Sequence, residues 1–306
     1  MRNAFADEMT ALAQGDDRIH LLSGDIGNRL FNKFQEKCPG RFINCGVAEA
    51  NLISVGAGLC LSGSRAVAYT ITTFVTARCF EQIKLDVCYN QAPLVIVGVG
   101  AGLSYASLGP THHSFEDVAI LRALPGLTIL APCDALELRA ALRAAFAHNG
   151  PVYIRIGKKG EPVIHSEIPE LTIGCGRVMR EGANACILAT GTILYQALKA
   201  AELLAASGIE TEVVHMPTIK PLDEALLREV FNRHRLVLTL EESSVIGGFG
   251  SAVTDWAAEQ AESKTRILRA GIPDQFLHEA GEQEYALAKC GLAGDKIAER
   301  IMKVLR

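Results

Sequence analysis

Short apolar runs alternate along the first half of the chain with longer segments whose apolar positions recur at helical spacing. A strand buried in a parallel sheet is a nearly continuous apolar run, whereas an amphipathic helix repeats about every 3.6 residues. The pattern predicts strands at 20–22, 42–44, 66–71, 94–99, 127–130 and 152–156. It predicts helices at 3–13, 51–61, 76–89, 116–123 and 135–147. This alternation is typical of a largely parallel sheet flanked by helices.

A second alternating series follows a polar stretch, 157–171, which contains glycine and proline and has the composition of a linker. The series predicts strands at 185–189, 211–215, 236–240 and 266–268. It predicts helices at 194–206, 224–231, 250–262 and 295–305. The expected fold class is α/β with two domains, each a mostly parallel sheet flanked by helices. We place the first domain at 1–160, the linker at 161–175 and the second, smaller domain at 176–306.

Composition narrows the class of protein. A chain of 306 residues, 49% of them hydrophobic, can bury two medium-sized cores. Its net charge of −4 comes from interspersed acids and bases, so neither nucleic acid nor an anionic membrane is an expected partner. No apolar run approaches the roughly 20 residues of a membrane span, and no signal-peptide pattern opens the sequence. We expect a soluble, cytoplasmic protein.

The number and spacing of the cysteines are also those expected of a cytoplasmic protein. The nine cysteines are scattered, without a C-x-x-C pair or a His/Cys cluster at metal-ligand spacing. This usage is typical of small apolar side chains in a reducing compartment, and no metal site is expected in this chain. Cys45 precedes an informative acid, Glu49, by four residues, and we expect it to be buried beside that acid.

Glu49 is the residue that most constrains the chemistry. Segment 41–51 has the pattern of a short strand, a turn at Gly46 and the start of an apolar helix. The acid therefore lies at a strand-to-helix junction, where α/β sheets place their ligands. An acid in the first turn of a helix also complements the backbone dipole, so a structural role stays open at this point.

An aromatic residue, Phe74, follows the third predicted strand. Taken alone, such a residue belongs more often to a core than to a ligand site. Its position after the Glu49 segment favours the ligand site. Phe80, by contrast, is expected on an apolar helix face with Ile83 and Val87.

A third motif lies in a glycine-containing loop between a predicted strand and a predicted helix. It consists of Gly109, Pro110, Thr111, His112 and His113 in succession. Surface loops of this kind carry function more often than packing. Histidine has a pKa near neutrality and is suited to moving protons under physiological conditions. The loop is therefore expected to be functional.

These three ordered motifs resemble those of transketolases and their relatives. Further segments extend the resemblance over nearly the whole chain: 122–126, 131–134, 219–223 and 241–251. The resemblance implies a pyrimidine-binding domain followed by a transketolase C-terminal domain. In the second domain, we interpret Gly247, Gly248 and Gly250 as a tight turn between strand and helix, because neither a P-loop lysine nor a Rossmann acid accompanies them.

The resemblance implies roles in binding thiamine diphosphate. Glu49 would hydrogen-bond the pyrimidine ring, and Phe74 would stack on it. Asp25 matches a loop that approaches the cofactor across the interface between subunits. Transketolases hold the diphosphate and Mg²⁺ in a separate domain, through a G-D-G motif followed by an Asn, and this sequence contains no such pair.

The resemblance therefore implies a split transketolase with this chain as its C-terminal subunit. An N-terminal subunit with the G-D-G and Asn motif would hold the diphosphate and Mg²⁺. Because cofactor pockets of the family lie between subunits, an α2β2 assembly is expected. The reaction would transfer a two-carbon ketol unit from a ketose to an aldose.

The same resemblance implies substrate contacts. His112 would act as a catalytic group that handles protons on the sugar, with His113 in a supporting role. Arg2 and Lys158 resemble residues that contact a substrate phosphate, although most arginines and lysines are surface charges.

Two departures from sugar-phosphate transketolases leave the substrate open. Leu108 stands where those enzymes have an Asp that contacts a donor hydroxyl, and Gly100 stands where they have a His. A phosphorylated ketose remains compatible with the sequence. A more apolar or modified sugar fits the leucine at position 108.

Other classes of protein are compatible with parts of the pattern. Beta-type subunits of 2-oxo acid dehydrogenases and deoxyxylulose-phosphate-synthase-like enzymes are alternatives, but the loop containing His112 favours transketolases. A non-catalytic regulatory partner could keep the fold without activity. Retention of Glu49, Phe74 and His112 together favours an enzyme. A plain nucleotide-binding protein is disfavoured because no dinucleotide fingerprint is present.

Overall fold

Two sheets organise the chain in this computed structural model, which describes residues 1–27, 29–158, 160–260 and 264–305. The strands are, in chain order, β1 (Ile19–Ser23), β2 (Phe42–Asn44), β3 (Arg65–Ile71), β4 (Val95–Val99), β5 (Thr128–Leu130), β6 (Val152–Ile156), β7 (Arg177–Arg180), β8 (Ala185–Thr190), β9 (Thr211–His215), β10 (Thr218–Lys220), β11 (Leu236–Ser244) and β12 (Arg266–Ile272). The first sheet has the order β10-β5-β6-β4-β3-β1-β2, and the second has the order β12-β11-β8-β9-β7. Both sheets are parallel except at one edge, where β10 and β7 run antiparallel to their neighbours.

Helices cover the sheets. The α-helices are α1 (Arg2–Gly15), α2 (Asn32–Lys37), α3 (Glu49–Leu61), α4 (Thr72–Thr76), α5 (Phe80–Gln82), α6 (Asp117–Arg122), α7 (Ala135–Ala147), α8 (Leu194–Ala205), α9 (Glu224–Arg233), α10 (Phe249–Ala258), α11 (Gln283–Lys289) and α12 (Gly294–Leu305). A π-helix, Ile83–Tyr89, continues from α5. The central strands β4 and β6 are buried along their whole length, as expected for a parallel sheet covered on both faces.

The expected fold class is confirmed, and each predicted strand is present. Strands β7 and β10 and helices α2 and α11 were not predicted. The sequence division placed everything after residue 175 in the second domain, yet β10 completes the edge of the first sheet. The helix predicted at 250–262 ends at Ala258, and residues 261 and 262 lie outside the described residues.

The prediction of one α-helix over 76–89 is wrong. Helix α4 ends at Thr76, a turn spans 77–79, and α5 and the π-helix follow. The Thr76 hydroxyl donates to the carbonyl of Thr72, and Cys79 Sγ donates to the carbonyl of Phe74. These side chains occupy carbonyls that a regular helix would pair with backbone N–H groups. The expected apolar face is confirmed, since Ile83 and Val87 are buried.

Polar contacts join the two sheets. Arg155 at the end of β6 forms a buried ion pair with Asp117 of α6, with Nε 2.9 Å from Oδ2. Its Nη2 donates to the carbonyl of Glu242 in β11 at 3.1 Å. Within the first sheet, Lys220 of β10 donates to the carbonyls of Arg122 and Leu124 and so fixes this late strand to the earlier segment. Within the described residues, no helix is both long and apolar enough to cross a bilayer.

Candidate active site

The candidate residues lie at one edge of the first sheet, where the parallel strands end. Glu49 follows β2, Phe74 follows β3, the loop of residues 100–115 follows β4, and Lys158 follows β6. The carboxyl ends of parallel strands meet at one edge, which is where open α/β sheets bind ligands. The fold therefore brings together residues that are more than 100 positions apart in the sequence.

Glu49 opens α3 and is nearly buried, with 6% of its side chain exposed. Its Oε2 accepts a hydrogen bond from Nη1 of Arg78 at 2.7 Å. A buried carboxylate needs such a partner, because an unpaired buried charge is costly. Cys45 is half-buried and packs against the core beside this segment, where burial raises the pKa of its thiol.

Phe74 presents its ring to the same arginine. The guanidinium carbon of Arg78 lies 4.4 Å from the centroid of the Phe74 ring, a cation–π contact. The two residues are four positions apart in a helical segment, a spacing that brings side chains together. A planar group bearing N–H donors therefore fits between the ring of Phe74 and the carboxylate of Glu49.

His112 also contacts Phe74. The two ring centroids are 5.3 Å apart in an edge-to-face arrangement, and the ring of Tyr105 is 5.8 Å from that of His112. Burial lowers the pKa of His112, and the neighbouring His113 lowers it further. The imidazole is therefore neutral at neutral pH and able to accept a proton.

His113 faces away from this group of residues. Its side chain is buried, and Nε2 lies 3.3 Å from the carbonyl oxygen of Ala106 within the same loop. From this position, His113 is better placed to support the loop than to contact a sugar directly. Leu108 is half-exposed at the surface of that loop.

Tyr105 connects His112 to the predicted cationic residues. Lys158 Nζ lies 4.7 Å from the centroid of the Tyr105 ring. Burial raises the pKa of Tyr105, and the nearby charge of Arg2 opposes this shift. Lys158 therefore contacts Tyr105, and the charge of Arg2, far from Lys158 in sequence, also acts on this residue.

The Tyr105 ring occupies the space beside Gly100. A Cβ at Gly100 would lie 2.0 Å from the ring, and the glycine has a φ of 79°. Both the ring position and the left-handed backbone therefore require glycine here. The aromatic ring fills the place in which a side chain at position 100 would begin.

The loop that carries His112 is fixed to the second sheet. Oε1 of Glu242 accepts a hydrogen bond from the Leu103 N–H at 2.8 Å and another from Gln283. Oε2 lies within reach of the Thr192 hydroxyl. Burial raises the pKa of Glu242, although these hydrogen bonds and Arg155 oppose the shift. The second half of the chain thus determines where the loop lies.

Asp25 lies at the same sheet edge but is exposed and does not join the group around Phe74. Its carboxylate accepts a hydrogen bond from Asn44 at 3.1 Å, and the Asn44 side-chain oxygen accepts from the Gly46 N–H at 2.8 Å. The Asp25 N–H also donates to the carbonyl of Gly46. These bonds hold the segment before Glu49 in place. A contact of Asp25 with a cofactor in another subunit stays a prediction.

Sequence reasoning missed three contributors: Arg78, Tyr105 and Asn44. The spacing of Arg78 from Phe74 was a usable signal, because residues four apart in a helix share a face. No sequence signal linked Tyr105 to Gly100, since their contact depends on the path of the loop. Asn44 acts through hydrogen bonds to two backbone segments that only the fold brings together.

Buried histidines outside this site form pairs with acids, although no ligand cluster was visible in the sequence. Cys133, Glu137 and His215 lie within 4.8 Å of one another, as do Cys186, Glu212 and His234. Glu137 already accepts hydrogen bonds from His215 Nε2 at 2.8 Å and from the Cys133 N–H at 2.6 Å. We interpret these groups as internal polar contacts of the core.

Comparisons with known proteins agree with this architecture. Family models match residues 1–161 (transketolase, pyrimidine binding domain) and 174–297 (transketolase, C-terminal domain). The chain is 39% identical to a 6-deoxy-6-sulfo-D-fructose transketolase subunit of Clostridium sp. (strain MSTE9), covering 99% of this chain and 94% of the relative. It is 33% identical to one of the subunits of an apulose-4-phosphate transketolase from Phocaeicola vulgatus, covering 95% and 94%. A solved structure described as a split gene transketolase, inactive beta4 tetramer, has a TM-score of 0.89 at 34% identity, covering 99% of this chain and 97% of that chain.

Proposed function

The chain belongs to the transketolase family, and from that premise we propose that it is the C-terminal subunit of a split transketolase. The proposal rests on the arrangement of Glu49, Phe74 and His112 at one sheet edge. Relatives that match over nearly their whole length are named as subunits of transketolases. The reaction is the transfer of a two-carbon ketol unit from a ketose to an aldose.

The residues present fit the pyrimidine end of thiamine diphosphate, on which the family depends. The guanidinium of Arg78, itself a planar group, contacts Phe74 and donates to Glu49 simultaneously. Glu49 would accept a hydrogen bond from the ring and so govern its tautomer, and Phe74 would hold the ring by stacking. The bound cofactor supplies the carbon centre that carries the two-carbon unit, as cofactors commonly supply the difficult chemistry.

His112 is the proposed proton-transfer residue for the sugar. Its neutral imidazole can accept a proton from a sugar hydroxyl and return it to the product. Thr111 Oγ1 lies 3.0 Å from His112 Nδ1 and helps to orient the ring, leaving Nε2 for the sugar. The contact with Phe74 places this histidine next to the cofactor residues.

The remaining parts of the active site would come from a second polypeptide. We propose an N-terminal subunit with the G-D-G and Asn motif, which holds the diphosphate and Mg²⁺, in an α2β2 assembly. The solved relative described as an inactive beta4 tetramer supports a need for another chain. The nine cysteines are all free, which supports a cytoplasmic location.

The substrate proposed is a ketose with an anionic group at the end remote from its carbonyl. Arg2 and Lys158 near Tyr105 provide positive charge at the edge of the site. One relative is named for 6-deoxy-6-sulfo-D-fructose, which carries a sulfonate, and another for apulose 4-phosphate. Sulfonate and phosphate share the charge and the oxygen acceptors that such cations recognise.

Reconstitution tests this function. The chain is mixed with the polypeptide encoded beside it, thiamine diphosphate, Mg²⁺ and an aldose acceptor, and the donor is 6-deoxy-6-sulfofructose, fructose 6-phosphate or unmodified fructose. We expect transfer from an anionic donor and a rise in its KM in Lys158→Met. In a parallel mixture with pyruvate as the donor, release of CO₂ without ketol transfer from any ketose would instead indicate a deoxyxylulose-phosphate-synthase-like enzyme. Absence of any turnover would indicate a regulatory subunit.

A further inference from the structure

Arg78 contacts both residues that would bind the cofactor ring, Glu49 and Phe74. Its Nη1 donates to Oε2 of Glu49 at 2.7 Å, while its guanidinium carbon lies 4.4 Å from the ring centroid of Phe74. We propose that Arg78 is an internal competitor of the aminopyrimidine ring and must leave Glu49 and Phe74 before the ring can bind. The inference rests on the proposed function of the site.

The chemistry of the two groups is alike. A guanidinium is planar, carries N–H donors at its edge and presents a flat face to an aromatic ring. An aminopyrimidine is also planar, and the ring nitrogen opposite its amino group donates to a carboxylate when it carries a proton, as in the imino tautomer. Glu49 has only 6% of its side chain exposed, so its accessible oxygen cannot serve both groups at once. Binding of one therefore excludes the other from the same place.

Arg78 is also free to move. Its side chain is 49% exposed, so the guanidinium can turn into solvent without crossing packed core. In the described part of the chain, the hydrogen bond to Glu49 is the one that this guanidinium makes. Displacement would break one ion pair and one cation–π contact, which is a modest barrier.

The contact of Arg78 with Glu49 has two effects in a protein whose active site depends on another chain. A nearly buried carboxylate without a partner destabilises a fold, and Arg78 provides that partner. The same contact weakens binding of the ring to the incomplete site. Cofactor would then bind well only where diphosphate contacts from the second polypeptide add to those of Glu49 and Phe74.

Calorimetric titration tests the proposal on the assembled two-subunit protein. Thiamine diphosphate with Mg²⁺ is titrated into wild type, Arg78→Met and Arg143→Met. Arg143→Met is the control, because its ion pair resembles that of Arg78 with Glu49. Arg143 lies 2.7 Å from Glu8, and 53% of the arginine side chain and 6% of the acid side chain are exposed. Arg78→Gln is a second variant that retains N–H donors without charge, in case the methionine variant does not fold.

We expect Arg78→Met to bind the cofactor about fivefold more tightly than wild type, which corresponds to loss of the two competing contacts. Arg143→Met should bind within about twofold of wild type. Equal or weaker binding in Arg78→Met and Arg78→Gln, with wild type still binding, would overturn the competitor role and leave the proposed function intact. Absence of binding in wild type as well would overturn both.

Discussion

At the scale of single residues, Glu49 combines burial with an accessible hydrogen-bonding oxygen. The fold holds its carboxylate at the start of α3, and the contact with Arg78 shows that a donor can reach it from the site. A purely structural acid in a helix first turn would act mainly through the backbone dipole, an effect of about 0.3–1 kcal/mol. A neutral residue in place of Glu49 therefore distinguishes the two roles. It would remove activity if the acid is catalytic, and it would change only the stability slightly if the acid is structural.

Glu49→Gln should lower the rate of ketol transfer by at least about a hundredfold, because the amide cannot exchange a proton with the cofactor ring. The side chain keeps its size, so the melting temperature should change little. Steady-state rates of the assembled enzyme and thermal unfolding of the variant provide the measurements. Glu8→Gln, another nearly buried acid paired with an arginine, is the control. Wild-type activity in Glu49→Gln would contradict the role.

The location of three candidate residues could be predicted from the local sequence, whereas their roles remain predictions. Glu49, Phe74 and His112 each follow a strand, so their approach to one sheet edge follows from parallel topology. The contact of Arg78 with Phe74 follows from their spacing, but its hydrogen bond to Glu49 joins two segments that only the fold brings together. The approach of Lys158 to the ring of Tyr105 joins the loop after β4 to the end of β6, which only the fold brings together.

At the scale of elements, α7 depends on Asp134. Oδ1 of Asp134 accepts the N–H groups of Leu136 and Glu137, which caps the helix. Oδ2 accepts the N–H groups of Ile164 and His165 and so fixes the segment between the sheets. Burial raises the pKa of Asp134, but these N–H bonds outweigh it and the net shift is downward. One carboxylate therefore orders two elements.

Asp134→Ala should lower the free energy of unfolding by about 3 kcal/mol. About 1 kcal/mol comes from the lost helix cap, and the remainder from buried N–H groups without acceptors. Asp223→Ala is the control, because Asp223 caps α9 from a half-buried position and accepts one further N–H group, that of Gly176, so it should cost about 2 kcal/mol. Urea unfolding measures both. Equal losses in the two variants would show that the bonds to residues 164 and 165 contribute no more than the single bond from Gly176.

The contribution of Glu242, in β11, to the free energy of unfolding depends on pH. Burial raises its pKa in the folded protein above the ordinary value of 4.5. As pH rises past that value, the unfolded chain loses its proton first, so the free energy of unfolding falls until the higher folded pKa is passed. Below pH 4.5 both states are protonated, and the contribution is fully retained.

Glu242→Gln removes this titration while preserving the side-chain shape. The stability of the variant relative to wild type should therefore increase as the pH rises above 4.5, until the raised pKa of the folded state is passed. Denaturant unfolding at several pH values measures the difference, with the exposed Glu202→Gln as a control that should run parallel to wild type. A constant difference between Glu242→Gln and wild type across this range would show that the acid does not titrate as described.

The elements themselves were largely predictable, because continuous apolar runs identify buried parallel strands. The irregular helix over 72–89 was not, since its interruption arises from hydrogen bonds of Thr76 and Cys79 to nearby carbonyls. The short strands β7 and β10 were also missed. Each lies at a sheet edge and pairs antiparallel with a distant segment, so its own few residues carry little signal.

At the scale of the whole molecule, the two sheets form a connected unit. Strand β10 from the second half of the chain pairs with β5, and Glu242 holds the loop that carries His112. The alternation of strands and helices indicated two sheets, but these connections join segments roughly 90 and 140 residues apart and leave no local pattern. The site therefore depends on both halves, although its candidate residues all lie in the first.

The most direct measurement is a calorimetric titration of thiamine diphosphate and Mg²⁺ into the purified chain, with and without the polypeptide encoded beside it. We expect tight binding only by the mixture, with loss of binding in Phe74→Ala and Glu49→Ala. The physical reason is that, under the proposed function, this chain would contribute the contacts to the ring and the second chain those to the diphosphate and the metal ion. Tight binding by this chain alone, or none by the mixture, would contradict a shared active site.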